Sequence, residues 1–406
     1  MNRSPRPHRR GGLFGLSRNV LALGLVSLLT DVSSEMIYPL LPLFLTSVLG
    51  AGQMFVGLVE GLAESAASLT KLYSGWLADR LGKRKSLVVT GYTFSTITRP
   101  LVAFALAPWH VLAIRFADRL GKGLRTSPRD AMIAASTDRA LMGRAYGFHR
   151  SMDHLGAVAG PALAFGLLAM LGERLRMIFL LAAIPGLLSV IILILWVSEI
   201  RVGPAASSRG QRRPIHLDGQ LRRFLLVVTL FTLGNSSDAF LLLRAQDVGI
   251  AVTHLPLIWM FFHLVKAGTG MPGGILSDVR GRRGAIIAGW LVYALAYLGF
   301  GAASHPWHIW VLFAFYGLYF GLTEGVERAL IADLVPAERQ ASAFGVYHFC
   351  IGIAALPSSL LMGFLYQRFG AGPAFTVGAS LAGLAALLLL ILLRPSSHSP
   401  GTRSTP

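Results

Sequence analysis

The sequence predicts an all-α integral membrane protein: twelve transmembrane helices in two pseudo-symmetric six-helix bundles. Three observations carry that expectation. The 406 residues are 54% hydrophobic and 14% charged, with a mean hydropathy of +0.60, whereas a soluble domain needs roughly a quarter charged residues to cover its outside. Apolar runs of the roughly 20 residues that a helix needs to cross hydrocarbon recur along the whole chain. A glycine- and charge-bearing pattern also occurs twice, one half-chain apart.

Reading from one glycine, proline or charge break to the next, the first six spans fall at 19–49, 54–78, 86–107, 109–131, 144–171 and 175–197. A second six fall at 222–247, 254–277, 284–303, 307–332, 341–368 and 373–394. Between the sets, Pro204, Ser207, Ser208, Arg209, Arg212, Arg213 and Pro214 sit in a stretch without apolar periodicity, the composition of a linker. The expected organisation is a tail (1–18), a first bundle (19–197), a linker (198–221), a second bundle (222–394) and a second tail (395–406).

The net charge of +18 takes its meaning from its distribution. Basic residues gather in the first tail (Arg3, Arg6, Arg9, Arg10), in short loops such as Arg80 to Lys85 and Arg280 to Arg283, and in the linker. They punctuate the apolar spans, as the positive-inside rule requires of cytoplasmic loops. A nucleic-acid binder would concentrate them on one soluble face, so nucleic acid is not expected as a partner. Both tails are expected in the cytoplasm, although Arg174, Arg176, Arg244 and Arg368 fall on the other side. The single Cys350 permits no internal disulfide and reads as a packing residue. The first apolar run, from Val20 to Leu49, has no small-residue cleavage site behind it. It reads as a mature helix, not a signal peptide.

The repeat is explicit. Gly75-Trp-Leu-Ala-Asp79-Arg80-Leu-Gly82-Lys83-Arg84 follows the second span, and Gly274-Ile-Leu-Ser-Asp278-Val-Arg-Gly281-Arg282-Arg283 follows the eighth. Ser33-Ser34-Glu35 in span one is echoed by Ser236-Ser237-Asp238 in span seven. On these residues the chain resembles the major facilitator superfamily, whose hallmark is that loop between helices two and three. The resemblance implies a secondary transporter working by alternating access, with spans one, four, seven and ten lining a central cavity. It makes Gly75, Asp79, Arg80, Gly82, Lys83 and Arg84, with Asp278, Gly281, Arg282 and Arg283, a conformational latch on the cytoplasmic side. Arg115 matches the family's cavity-facing arginine of span four, and Gly121 and Gly123 follow at the family's spacing. Gly156, Gly160 and Pro161 in span five match the start of a motif associated with antiporters, which this chain leaves at Ala164 and Phe165.

The residues also speak for themselves. Arg115, Asp118, Arg119, Lys122, Arg125 and Arg129 recur at three- and four-residue steps, one stripe on span four. A charge facing lipid costs at least about 2.5 kcal/mol near mid-bilayer, so the stripe must line water, protein or substrate. Five cations against one acid favour an anionic solute held by Arg115, Asp118, Arg119, Lys122 and Arg125. The blander reading is a ladder of static ion pairs. Tyr38, and from the second half Asp238, Glu324 and Glu327, are further candidates for the solute site. Asp31 and Glu35, four apart on one face of span one, are the first candidates for proton coupling, since a carboxyl in low dielectric takes and releases a proton as nearby cations move. Glu64, expected to pair with Lys71, and Asp153 with His154 in span five, are the others.

No metal-ligand cluster, phosphate-binding glycine loop or nucleophile elbow is present in the sequence. An enzyme, a metal site and a cofactor are therefore not expected. Without a Walker sequence the energy source is an ion or solute gradient. The expected function is proton-coupled efflux of a small organic, anionic solute or drug by a single chain in the cell membrane. Uptake by proton symport or anion exchange is the alternative; a transporter-like sensor or a lipid-handling protein ranks below both.

Overall fold

The computed structural model describes residues 13–41, 44–51, 53–171, 174–200, 219–250 and 254–393. The first tail up to residue 12, nearly all of the linker, the last tail and Pro42 lie outside the described residues, as does the side chain of Glu60.

Twelve helical spans are found among the described residues, and no strand. The first six are Arg18–Glu35, Gln53–Leu81, Arg84–Thr98, Pro108–Ala135, Met142–Leu171 and Leu175–Trp196, the last with a one-residue interruption at Ala182. The second six are Gly219–Gly234, Leu255–Arg280, Arg282–Ala302, Pro306–Leu334, Gln340–Phe369 and Ala371–Leu392. Five of the twelve, one in the first half and four in the second, meet the length and hydropathy of a membrane crossing on composition alone. Span four does not, because its charges lower the average. Large apolar side chains such as Met170, Leu195, Leu295, Leu356 and Leu360 stand exposed on the outside of the bundle, a surface only lipid can cover favourably.

Spans one and seven break at the repeated serine–acid motif. Span one leaves α-helical geometry after Glu35 and continues as short 3-10 and π segments, Tyr38–Leu40 and Phe44–Val48. Span seven stops at Gly234 and restarts as Ala239–Asp247. Serine and aspartate side chains compete for backbone hydrogen bonds, which makes such a run a weak point in a helix. Thr30 accordingly has its carbonyl taken by Arg99 at 3.0 Å, and Ser33 donates to the Ala182 carbonyl at 2.7 Å. These breaks, not tilt alone, account for the long first and seventh apolar runs.

Alternate spans run in opposite directions, so the bundle has two ends. At one, here the linker end, lie Gly82, Ser198, Gly281 and Leu393; Tyr38, Ala105, Gly249 and Ser304 lie at the far end. The halves meet through span two on span eleven and span five on span eight. Both seams are built on glycine. A Cβ on Gly75 would run into the Ala341 carbonyl oxygen, and one on Gly274 into that of Gly143. Small residues that let backbones touch are how helices associate where lipid removes the hydrophobic drive.

Candidate functional site

At the linker end, each copy of the repeated motif reaches across to the other half. Asp79 accepts from the backbone N–H of Ser342 at 2.6 Å and of Ala341 at 3.3 Å, at the start of span eleven. Asp278 accepts from Gly143 and Arg144, both at 2.8 Å, at the start of span five. A carboxylate there satisfies orphan amides and meets the positive end of the helix dipole. Arg84 closes the first clasp, on Asp79 at 3.2 Å, on the Ala131 carbonyl at 3.1 Å and on that of Ala337. Arg282 closes the second, on Asp278, on Asp333 at 3.1 Å and on the Arg139 carbonyl at 3.1 Å.

Sequence alignment of the two motifs pairs Arg84 with Arg283, yet Arg282 occupies the equivalent place. Gly82 and Gly281 both have positive φ, +61° and +93°, but one extra residue, Lys83, separates Gly82 from the next helix. The first helical residue is what reaches the aspartate. Arg80 and Lys83 are exposed, Arg80 over the Trp76 ring, and Arg283 bonds the Leu390 carbonyl.

Above the latch, two further clusters join the halves. Asp130, fully buried, meets His348 Nε2 at 3.0 Å and Arg328 Nε at 3.5 Å from the second half, and Arg129 at 3.1 Å from its own. Glu324 meets His154 Nε2 at 2.9 Å and Arg150 at 3.3 Å, and Arg150 also holds Asp153 at 2.7 Å. Farther from the linker end, no hydrogen bond or ion pair joins the halves among the described residues. The polar grip is confined to one end and leaves a gap in such contacts, among the described residues, toward the other.

The stripe on span four divides at this gap. Asp118 takes Arg99 at 2.9 Å and Arg115 at 3.7 Å inside the first bundle. Arg115 also lies over the Tyr38 ring, 5.3 Å from its centroid, and Tyr38 is 42% exposed. Arg125 is buried against Ser95 Oγ at 2.7 Å and the Tyr92 ring at 4.3 Å. Arg119 and Lys122 are half-buried, and Lys122 lies in electrostatic reach of Arg119, Glu64, Lys71 and Asp31. Glu64 is exposed and pairs with Lys71 at 3.6 Å. Asp31 and Glu35 are half-buried and make no salt bridge with a described residue. Gly156 and Gly160 press span five against them: a Cβ on either would strike the Cβ of Asp31 or of Glu35.

The second half presents a different wall. Its unwound segment is pinned by tyrosines: Tyr316 donates to Asp238 at 2.6 Å, Tyr297 meets Ser236 Oγ at 3.2 Å, and Asn235 donates to Tyr319 at 3.3 Å. Tyr293 stacks on Tyr297 and Phe231 on Trp290, with centroids 4.1 and 4.6 Å apart. Glu327 sits inside this cluster, held by Trp290 at 3.1 Å and Tyr347 at 2.6 Å, and does not front the gap. No group of three or more metal-binding side chains occurs among the described residues.

A model of the Major Facilitator Superfamily matches residues 23–243 and again 224–406. The chain belongs to that superfamily. It is 35% identical over 384 residues to an MFS-type transporter of Methanocaldococcus jannaschii, covering 93% of this chain and 95% of the relative. A stretch of 189 residues is 26% identical to the multidrug resistance protein MdtG of Escherichia fergusonii, covering 45% of this chain and 46% of that one. The crystal structure of the human organic anion transporter MFSD10 superposes with a TM-score of 0.77 at 18% identity, over 92% of this chain and 99% of that one. The chain is therefore a multi-pass membrane transporter with the MFS fold, and not an enzyme.

Sequence reasoning about this transporter missed Arg99, which anchors Asp118, and the Asp130–His348 contact between halves. Arg99 stands beside Pro100 inside the third apolar run, 86–107, and only the fold shows that it meets span four at Asp118. Asp130 follows the stripe directly, a signal that was available.

Proposed function

We propose that the chain is a proton-coupled efflux carrier for a small organic anion, working as a single polypeptide with both tails in the cytoplasm of the cell membrane. The linker end carries Arg80, Lys83, Arg84, Lys85, Arg139, Arg144, Arg280, Arg282 and Arg283, against Arg174, Arg176, Arg244 and Arg368 at the far end. That bias supports a cytoplasmic linker end, the end at which the halves are clasped in the described state. The observation that carries the coupling is the pair Asp31 and Glu35, half-buried acids that make no salt bridge with a described residue and lie in electrostatic reach of Lys122. Taking up protons in one half of the cycle and giving them up in the other, alternately with the solute, would let these acids exchange one for the other.

Efflux is favoured by the glycine seam of span five behind both acids. It is also favoured by energetics, since an anion leaving against an entering proton moves two charges in the direction the potential drives, each worth roughly 2.3 kcal/mol per 100 mV. The names of two similar proteins, a multidrug resistance protein and an organic anion transporter, agree with this class of solute.

The test is transport in proteoliposomes of a panel of organic anions under an imposed pH gradient. Proton movement opposite to the anion is expected, and Asp31→Asn with Glu35→Gln should abolish gradient-driven flux while sparing exchange. Co-directional movement would establish uptake instead, and unchanged pH dependence in the double variant would remove the coupling role.

A further inference from the structure

Lys266 is a membrane-embedded cation that the latch and the coupling acids do not use. Its side chain is 6% exposed. Its ammonium lies 3.7 Å from the centroid of the Phe320 ring and 4.6 Å from that of Phe262. No carboxylate of a described residue forms a salt bridge with it. Several cations of the first half do have one: Lys71 has Glu64, Arg99 and Arg115 share Asp118, and Arg129 has Asp130.

The groups in reach of Lys266 are already engaged. Glu324 of span ten is held by His154 and Arg150 of span five, and Asp153 by Arg150. Asp238 of span seven accepts the Tyr316 hydroxyl. The remaining neighbour on its own helix, His263, lies ring to ring with His154 at 5.4 Å. Two ring faces offset only part of the cost of holding an ammonium away from water, so an anion is the missing partner.

The surroundings say what kind. Trp259 meets His263 edge to face at 5.0 Å, Phe262 lies 5.7 Å from Phe320 and stacks on Tyr316 at 5.2 Å. Trp259, His263 and Phe320 are only half-buried. They offer flat apolar area next to one positive charge, the requirement of a planar aromatic acid. We propose that Lys266, with Phe320, Trp259 and His263, forms a subsite for the carboxylate of an aromatic acid. It rests on the reading of the solute as an organic anion. It divides the labour: the first half handles the proton, and the second half seats the anion.

The experiment is equilibrium binding of 2-naphthoate, and of its uncharged analogue 2-naphthamide, to the purified full chain in nanodiscs without any gradient. The wild type should bind 2-naphthoate saturably and prefer it to the amide. Lys266→Met should lose about tenfold or more in affinity for 2-naphthoate, the effect of one charge-assisted contact, and should leave 2-naphthamide unchanged. Lys266→Arg should stay near wild type, and Phe320→Ala should weaken both compounds. Equal binding of 2-naphthoate by wild type and Lys266→Met would overturn the subsite. Should Lys266→Met fail to elute as a folded monodisperse species, the wild-type preference decides: no preference for the carboxylate over the amide overturns it. Binding that behaves as expected while proton-coupled flux fails would sink the efflux reading and leave the subsite standing.

Discussion

The two halves share one kind of clasp and differ in the walls beyond it. Each puts an aspartate on the first amides of a helix in the other half, Asp79 on span eleven and Asp278 on span five. Inside, the first half is a lattice of charges, Arg99–Asp118–Arg115 and Arg129–Asp130 among them, while the second is a stack of rings from Phe231 to Tyr319. Symmetry is kept where the halves grip each other and given up in the walls beyond that grip. Rocking of one repeat against the other about a fixed site is compatible with two like clasps, whereas the binding and coupling proposed above would call for unlike surfaces, one polar and able to exchange protons, the other apolar and shaped.

The largest effect should come from the charge lattice. Asp118→Ala leaves Arg99 and Arg115 buried with their shared carboxylate gone, and removing one partner of a buried ion pair costs about 3–5 kcal/mol. The variant should lose most of its monodisperse yield and melt well below wild type in detergent. If it melts like wild type, the first wall is not a charge lattice and the contrast fails at its strongest point.

The next effect tests the shared latch. Gly75→Leu and Gly274→Leu each force a side chain into a backbone carbonyl across the seam, an overpacking worth about 1–3 kcal/mol that falls on the closed state alone. Spin labels at Lys83 and Glu338 should report a larger share of separated linker ends in both variants. A shift in one variant only would show that the clasps, alike in chemistry, are unequal in function.

Much of this was legible in the chain. Twelve spans and two halves follow from apolar run length and a motif spaced by one half-chain, because membrane crossing is a local demand on sequence. The aspartates that reach across to the other half, Asp79 and Asp278, lie in that same repeat. The site was harder. A stripe such as Arg115 to Arg129 fixes which residues share a helical face, but not which neighbours that face meets. The structure sends Arg115, Asp118 and Arg125 inward, to Arg99, Tyr92 and Ser95, and leaves Arg119 and Lys122 at the gap. Glu327 reads as a cavity residue beside Glu324, yet three residues on it lies about 60° round the helix, where Trp290 and Tyr347 hold it. The one-residue offset that puts Arg282 in the place of Arg84 depends on loop geometry that a pattern match does not measure.

The smallest effect should separate rings from hydroxyls. Tyr297 meets Ser236 Oγ at 3.2 Å at the edge of the unwound segment, while its ring stacks on Tyr293 and packs edge-on to Phe375 at 5.2 Å. Tyr297→Phe removes a hydrogen bond between neutral groups and keeps every ring contact, so a loss of about 0.5–1.5 kcal/mol is expected. If packing of aromatic faces is what builds the second wall, the melting temperature should fall by only a few degrees and solute affinity should hold. A fall as deep as that of Asp118→Ala would mean that the second wall, too, is held by polar contacts, with Ser236 and Asp238 as its fixed points.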